Sequence, residues 1–303
     1  AALAFTKINV GVFYLGATFA WLALNTGNAR SARILTWLVA AGCAILPFGL
    51  MHSLFDAPWV RLFALVFTGG ALALLLAARV VARPVVTLRV WTWFAGMLLG
   101  AVTLIAVCTL ARGTSLRGLI DGVVLEPMKH PGVYFFAMNW RAGTGLLALG
   151  ALALAAWASR SGWLGTESFR HFVAAARLVA GTVFLCSPLQ IIPTSLAAWG
   201  MCYGVTLAWL FVLPLRDHDR GAPVRGWLAF VLVFQFLHAY PVAGTQINWG
   251  TFLWVPLLAL GLHDAIPVWR SWLGRWSLAT RAVGTAAITI VGTFEIFFHA
   301  GFV

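Results

Sequence analysis

The chain has 303 residues, 62% of them hydrophobic and only 9% charged, with 20 Lys and Arg against 8 Asp and Glu. Charged residues make up about 25% of an ordinary soluble domain, so the composition excludes a water-soluble enzyme and an intrinsically disordered chain. A net charge of +12 with a mean hydropathy of +0.93 fits a protein surrounded by lipid whose arginines gather on one side of a bilayer, rather than a nucleic-acid binder.

Apolar runs of near-spanning length follow one another along the chain, at about 5–24, 34–54, 60–78, 91–111, 134–157, 171–190, 196–214, 226–240, 249–265 and 282–300. Each approaches the roughly 20 residues that cross a hydrocarbon core. The pattern predicts an all-α, polytopic integral membrane helical bundle of about ten transmembrane helices, forming one domain over 1–303. The stretches 226–240 and 249–265 are short and hold Pro near their ends, which predicts tilt or breaks. The chain opens without Met and in apolar sequence, AALAF. The expectation is therefore that it forms the C-terminal portion of a longer membrane protein.

The connections alternate in charge. Arg30 and Arg33, then Arg79, Arg83 and Arg89, begin a series of Arg-bearing breaks that holds thirteen of the 20 basic residues. The Arg-rich side is expected to be cytoplasmic, with both visible ends outside. The inner connections read as topology signals, with anionic lipid headgroups as an alternative partner. Cys43, Cys108, Cys186 and Cys202 lie inside apolar runs without metal-ligand spacing and read as buried small hydrophobes.

The outer side carries more polar chemistry. Lys7, near the start of the first run, either snorkels to the interface or presents its charge to a lipid phosphate. The segment 112–132 is too polar to span. Its Leu116, Leu119, Ile120, Val123 and Val124 recur at three- and four-residue steps, with Arg117, Asp121, Glu126, Lys129 and His130 between and after them. This predicts an outer interfacial helix broken at Glu126-Pro127 and His130-Pro131. It is read as packing only, or as a lid over a lipid-facing cavity. Arg141, in YFFAMNWRAG, has the geometry for bidentate phosphate binding. The segment 238–249, HAYPVAGTQINW, offers His238, Tyr240, Gln246 and Asn248 on a Pro- and Gly-bearing backbone. Such backbone survives at membrane depth only where protein or a wet cavity satisfies it. Glu295 and His299 lie one turn apart in the last run, as polar partners for a loop cation or as proton-handling groups.

These residues make Lys7, Arg141, Arg117, Lys129, His238, Tyr240, Gln246 and Asn248 the candidate lipid-phosphate or substrate contacts. Asp121, Glu126, Glu295 and His299 are the candidate polar partners. No metal site is expected. P-loop, dinucleotide, HExxH and nucleophile-elbow motifs are missing from the sequence, which argues against a nucleotide-driven pump or a Rossmann enzyme.

Through LAFTKINVG, the polar segment 112–132 and HAYPVAGTQINWG, the chain resembles the C-terminal transmembrane half of bacterial GT-C type glycosyltransferases, which use polyprenyl-phosphate sugars. The resemblance implies that Lys7 lies close to a lipid phosphate and that the outer segment packs over the site. It implies sugar transfer on the outer face of the inner membrane, with membrane lipids and a polyprenyl-phosphate-linked sugar as partners and no nucleic acid. The family's acidic residue precedes the region of Lys7, so no catalytic base is assigned, and any divalent metal belongs to the full-length protein. The competing readings are a transporter or flippase for an anionic lipid or sugar, which predicts a pathway open to both faces, and a non-catalytic membrane scaffold, which predicts paired charges and no cavity.

Overall fold

The computed structural model describes residues 8–81, 86–126, 134–186, 200–215, 221–242 and 246–273. They form an all-α bundle whose main helices are α1 (Ile8–Leu24), α2 (Ala29–Met51), α3 (Pro58–Val81), α4 (Leu88–Ala111), α5 (Thr144–Ser161), α6 (Glu167–Cys186), α7 (Ala222–Gln235) and α8 (Trp254–Leu273). Short helical pieces lie between them, at Leu116–Ile120, Gly200–Gly204, Val205–Leu207, Ala208–Phe211, Phe236–Ala239 and Gln246–Thr251.

Local chemistry explains several of the ends. Asn28 caps α2 by accepting from the Arg30 and Ser31 amides, both at 3.0 Å, and so satisfies two of the donors that a helix start leaves open. Gly162, with φ of 70°, ends α5 in the left-handed conformation that glycine adopts without strain.

Close packing comes from small residues. In α5, Ala148, Ala151, Ala155 and Ala158 recur at three- and four-residue steps and are all buried, and α5 packs on α3. A Cβ added at Gly70 of α3 would stand 2.8 Å from the Val205 carbonyl oxygen, and one at Gly69 would stand 3.1 Å from that of Ala148. Helices in lipid gain dispersion contacts through such small surfaces, because burial of apolar area gives little advantage there. α3 is therefore the central post, with α2, α5, α7 and the 200–211 stretch around it.

The expectation of about ten transmembrane helices is corrected by the structure. Among the described residues, four helical stretches are long and apolar enough to cross a membrane: Ala29–Leu54, Pro58–Val81, Leu88–Ala111 and Ala222–Ala239. The others fall short for identifiable reasons. α1 is 17 residues long. The run 134–157 splits, because 134–141 is non-helical and α5 begins only at Thr144. α6 carries Glu167, Arg170 and Arg177, and α8 carries Asp264 and Arg270. The run 196–214 resolves into π, α and 3-10 pieces. The run 282–300 lies outside the described residues.

The described part of the segment 112–132 forms the helix Leu116–Ile120 followed by a π turn, Asp121–Leu125, while the breaks expected at Glu126-Pro127 and His130-Pro131 fall at or beyond the end of that part. Its Leu116, Ile120 and Leu125 are exposed. α4 is more exposed still: none of its 24 residues is buried. It is tied to α1 at its start, where Trp91 packs edge-on against Phe19 and donates to Thr26 Oγ1 at 3.1 Å.

Candidate functional site

Two segments singled out in the sequence meet at one end of the bundle. The Phe136 amide donates to the Pro241 carbonyl at 3.0 Å, and Phe136 and Val242 form a parallel bridge. Trp140 Nε1 donates to the Trp59 carbonyl at 2.9 Å. The rings of Trp59, Phe63, Phe236 and Tyr240 pack around this join, with Phe63 and Phe236 centroids 4.4 Å apart. His238 and Tyr240 are buried here, so they belong to the floor of this end and do not line its surface. Burial pushes the Tyr240 phenol above its ordinary range, and Ser53 beside it pulls part of the way back.

Arg141 is exposed in the turn that leads into α5. The turn is held from two sides: Thr144 Oγ1 donates to the Arg141 carbonyl at 2.8 Å, and the Tyr203 hydroxyl donates to the Ala142 carbonyl at 3.0 Å. Tyr203 also lines a groove of about 460 Å³ between α6, the 200–211 stretch and the first half of α8. Phe172, Val179, Leu207, Trp254 and Leu258 make its walls apolar, and Val179 and Phe172 are exposed along its opening. Gly200 and Gly204 lie one turn apart and let the Trp254 indole close against them; a Cβ at Gly200 would stand 2.9 Å from Trp254 Cδ1.

The groove follows helix from Gly200 to Phe211, a rise of about 16 Å. That is roughly half of a hydrocarbon core about 30 Å thick. The turn that carries the exposed Arg141, fastened to Tyr203, thus lies at one end of an apolar groove whose length is about half that of a hydrocarbon core.

At the other end lies a buried charge cluster. Arg177 and Arg225 are both fully buried. Arg177 donates from Nη2 to the Leu210 and Leu213 carbonyls at 2.7 and 2.6 Å, and from Nε to Leu210 at 3.2 Å. Its guanidinium lies 5.5 Å from the Phe211 ring centroid. Arg225 donates from Nε to the Phe211 carbonyl at 2.7 Å and from Nη1 to Asp264 Oδ2. Asp264 Oδ1 also meets His263 Nδ1 at 3.3 Å. The two arginines therefore cap the carbonyl end of the 200–211 stretch, where the partial negative charge of a helix collects. They tie α6, α7 and α8 to it.

This cluster was not among the sequence candidates. Arg225 stands where the inner connections read as topology signals, and Arg177 lies inside the apolar run 171–190. An aspartate inside GLHDAIP was the available signal, because an ionisable residue in an apolar run requires a partner.

The remaining candidates are distributed. Lys7, Lys129, Glu295 and His299 lie outside the described residues. Arg117 and Asp121 form an exposed ion pair at 3.8 Å, and Glu126 is exposed on the same segment, which packs against the end of α4. Gln246 is half-buried and opens the helix Gln246–Thr251, which also holds Asn248. The structure thus brings Arg141, His238 and Tyr240 to one end of the bundle, while Arg117, Asp121 and Glu126 sit on their own exposed turn. Among the described residues no group of three His, Cys, Asp or Glu is placed to hold a metal ion.

Scans against family models, curated proteins and solved structures found no match to this chain. The class rests on the structure: several long apolar helices, one of them with no buried residue, are the features of a largely helical multi-pass membrane protein.

Proposed function

We propose that the chain is a bacterial inner-membrane protein that holds a polyprenyl phosphate, or a sugar carried on one, and forms the transmembrane half of a glycosyltransferase acting on the outer face. One observation carries this reading: an apolar groove of about 460 Å³ is lined at one end by Tyr203, whose hydroxyl holds the turn bearing the exposed Arg141. An isoprenoid chain fits apolar walls with few polar atoms. A phosphate at the end of that chain is met by a guanidinium whose donors match its oxygens.

In this reading an acceptor hydroxyl attacks the anomeric carbon, the bond to the lipid phosphate breaks, and the phosphate leaves with both electrons. Arg141 acts on the charge that grows on that leaving phosphate. Lys7 supplies a second positive charge in the sequence resemblance. The base that takes the hydroxyl proton is assigned to no residue of this chain. The buried cluster of Arg177, Arg225 and Asp264 holds the groove's rear wall in place and touches no substrate.

The test is photo-crosslinking of the purified chain with a polyprenyl phosphate carrying a diazirine in its isoprenoid tail. The expected adducts lie on α6 and α8, around Val179 and Leu258, and excess unlabelled polyprenyl phosphate suppresses them. Labelling spread evenly over exposed helices such as α4, and unaffected by competitor, would overturn the reading.

A further inference from the structure

A second lipid site is assigned by a crevice at the opposite end of α3 from Arg61. Its volume is about 180 Å³, and its walls include Trp21 and Leu24 of α1, Ala78 and Val81 of α3, and Pro223 of α7. The crevice is apolar, and the chain segments that border it carry several arginines. Arg79 follows the wall residue Ala78. The carbonyl of Asn25, another wall residue, accepts the Val86 amide at 2.9 Å, and the Gly27 amide donates back to the Val86 carbonyl at 2.9 Å. This bridge draws the start of α4, with Arg89, against the start of α2, with Arg30 and Arg33. Trp91 fastens the same join through its bond to Thr26.

All four arginines are exposed. Among the described residues none of them forms an ion pair or a side-chain hydrogen bond. Among the described residues Asp264 is engaged with Arg225, and Glu167, in the first turn of α6, forms no ion pair with any of the four. Four exposed arginines on the segments that border an apolar crevice are more than a charge bias in one loop. We propose that this crevice binds an anionic phospholipid, with part of an acyl chain between α1, α3 and α7 and the headgroup phosphate among Arg79, Arg89, Arg30 and Arg33. Basic pockets between membrane helices recognise acidic headgroups by this combination. The site is separate from the groove beside Arg141 and does not depend on the glycosyltransferase reading.

The experiment compares thermal stabilisation and binding of the full chain in neutral detergent. The ligands are phosphatidylglycerol, phosphatidylcholine with the same acyl chains, and inorganic phosphate at the same concentration. Phosphatidylglycerol is expected to stabilise the protein saturably, with the other two giving no comparable shift. R79Q/R89Q is expected to weaken phosphatidylglycerol binding by about fivefold for each arginine removed, while R61Q, at the other end of α3, leaves it unchanged. G226L, which fills the crevice and keeps every charge, is expected to weaken it as well. Each variant is first required to match the parent's melting temperature without added lipid, and R79Q alone substitutes where the double variant falls short. Equal stabilisation by phosphatidylcholine, an equal effect of inorganic phosphate, or a phosphatidylglycerol preference that survives R79Q would each overturn the proposal.

Discussion

Removing the Asp264 carboxylate tests the buried cluster at its most sensitive point. The Arg225 side chain is 1% exposed and that of Asp264 18%, so Asp264→Ala takes the carboxylate away from a guanidinium that water cannot reach. Breaking a buried pair from one side costs about 3–5 kcal/mol, against about 0–1 kcal/mol for an exposed pair. At about 1.4 kcal/mol per factor of ten, the folding equilibrium is expected to fall by more than a hundredfold. Asp264→Asn keeps an acceptor and loses the charge, so it falls between parent and alanine.

The double variant R225M/D264L removes both charges and fills their space. It still leaves the Phe211 carbonyl, which now receives the Arg225 Nε bond at 2.7 Å, without that donor. An orphaned buried acceptor costs about 1–3 kcal/mol, so the double variant is expected to be more stable than D264A and less stable than the parent. The assay is denaturant titration in mild detergent, followed by tryptophan fluorescence. A D264A loss within about 1 kcal/mol of the parent, the range of an exposed pair, would refute the reasoning.

Three further outcomes follow from the packing and the surface. Gly70→Ala places a Cβ 2.8 Å from the Val205 carbonyl oxygen and is expected to destabilise by about 1–3 kcal/mol, whereas Gly150→Ala, with nothing within 4 Å, holds or gains stability in the same titration. Arg117→Ala removes an exposed ion pair at 3.8 Å and is expected to change stability by less than about 1 kcal/mol; a larger loss would mean the 116–126 turn is anchored through that pair. Leu99→Arg puts a charge near the middle of α4, on an exposed apolar surface. Its insertion into membranes is expected to cost about 2.5–3.5 kcal/mol, read as a reduced membrane-integrated fraction in a glycosylation-mapping assay. Undiminished insertion would show that α4 does not face lipid.

The sequence revealed much of the helix placement and little of the site. Runs expected at 34–54, 60–78 and 91–111 correspond to α2, α3 and α4, because uninterrupted apolar stretches bounded by Asn28, Pro58 and Thr87 leave few other conformations. Hydropathy averages over breaks, however. Tyr134–Arg141 is apolar enough to extend a span, but it is extended chain that pairs with Val242. Nothing in its composition announces a partner a hundred residues away. The stretch 200–211 carries no charge yet passes through three helix types in succession.

Charge was read by position relative to span ends, and this hid Arg225. It stands in the first turn of α7, where a topology signal belongs, and its side chain turns inward to Phe211 and Asp264. Arg141 shows the reverse. It looked embedded in an apolar run and is exposed, because the run ends before it. His238 and Tyr240 were legible as one polar segment, but both are buried, and the packing of Tyr240 against Trp59 and Phe63 is not encoded by spacing alone.

The central claim is that the groove beside Arg141 holds a lipid by its tail and its phosphate. The most direct measurement is the dissociation constant of polyprenyl phosphate against that of the uncharged polyprenol, for the parent and for Arg141→Gln. Charge-assisted hydrogen bonds of about 1.5–3 kcal/mol predict that the parent prefers the phosphate by about tenfold to a hundredfold. Arg141→Gln is expected to lose most of that preference while binding the polyprenol as the parent does. Equal affinity of the parent for both lipids, or a phosphate preference untouched by Arg141→Gln, would contradict the account.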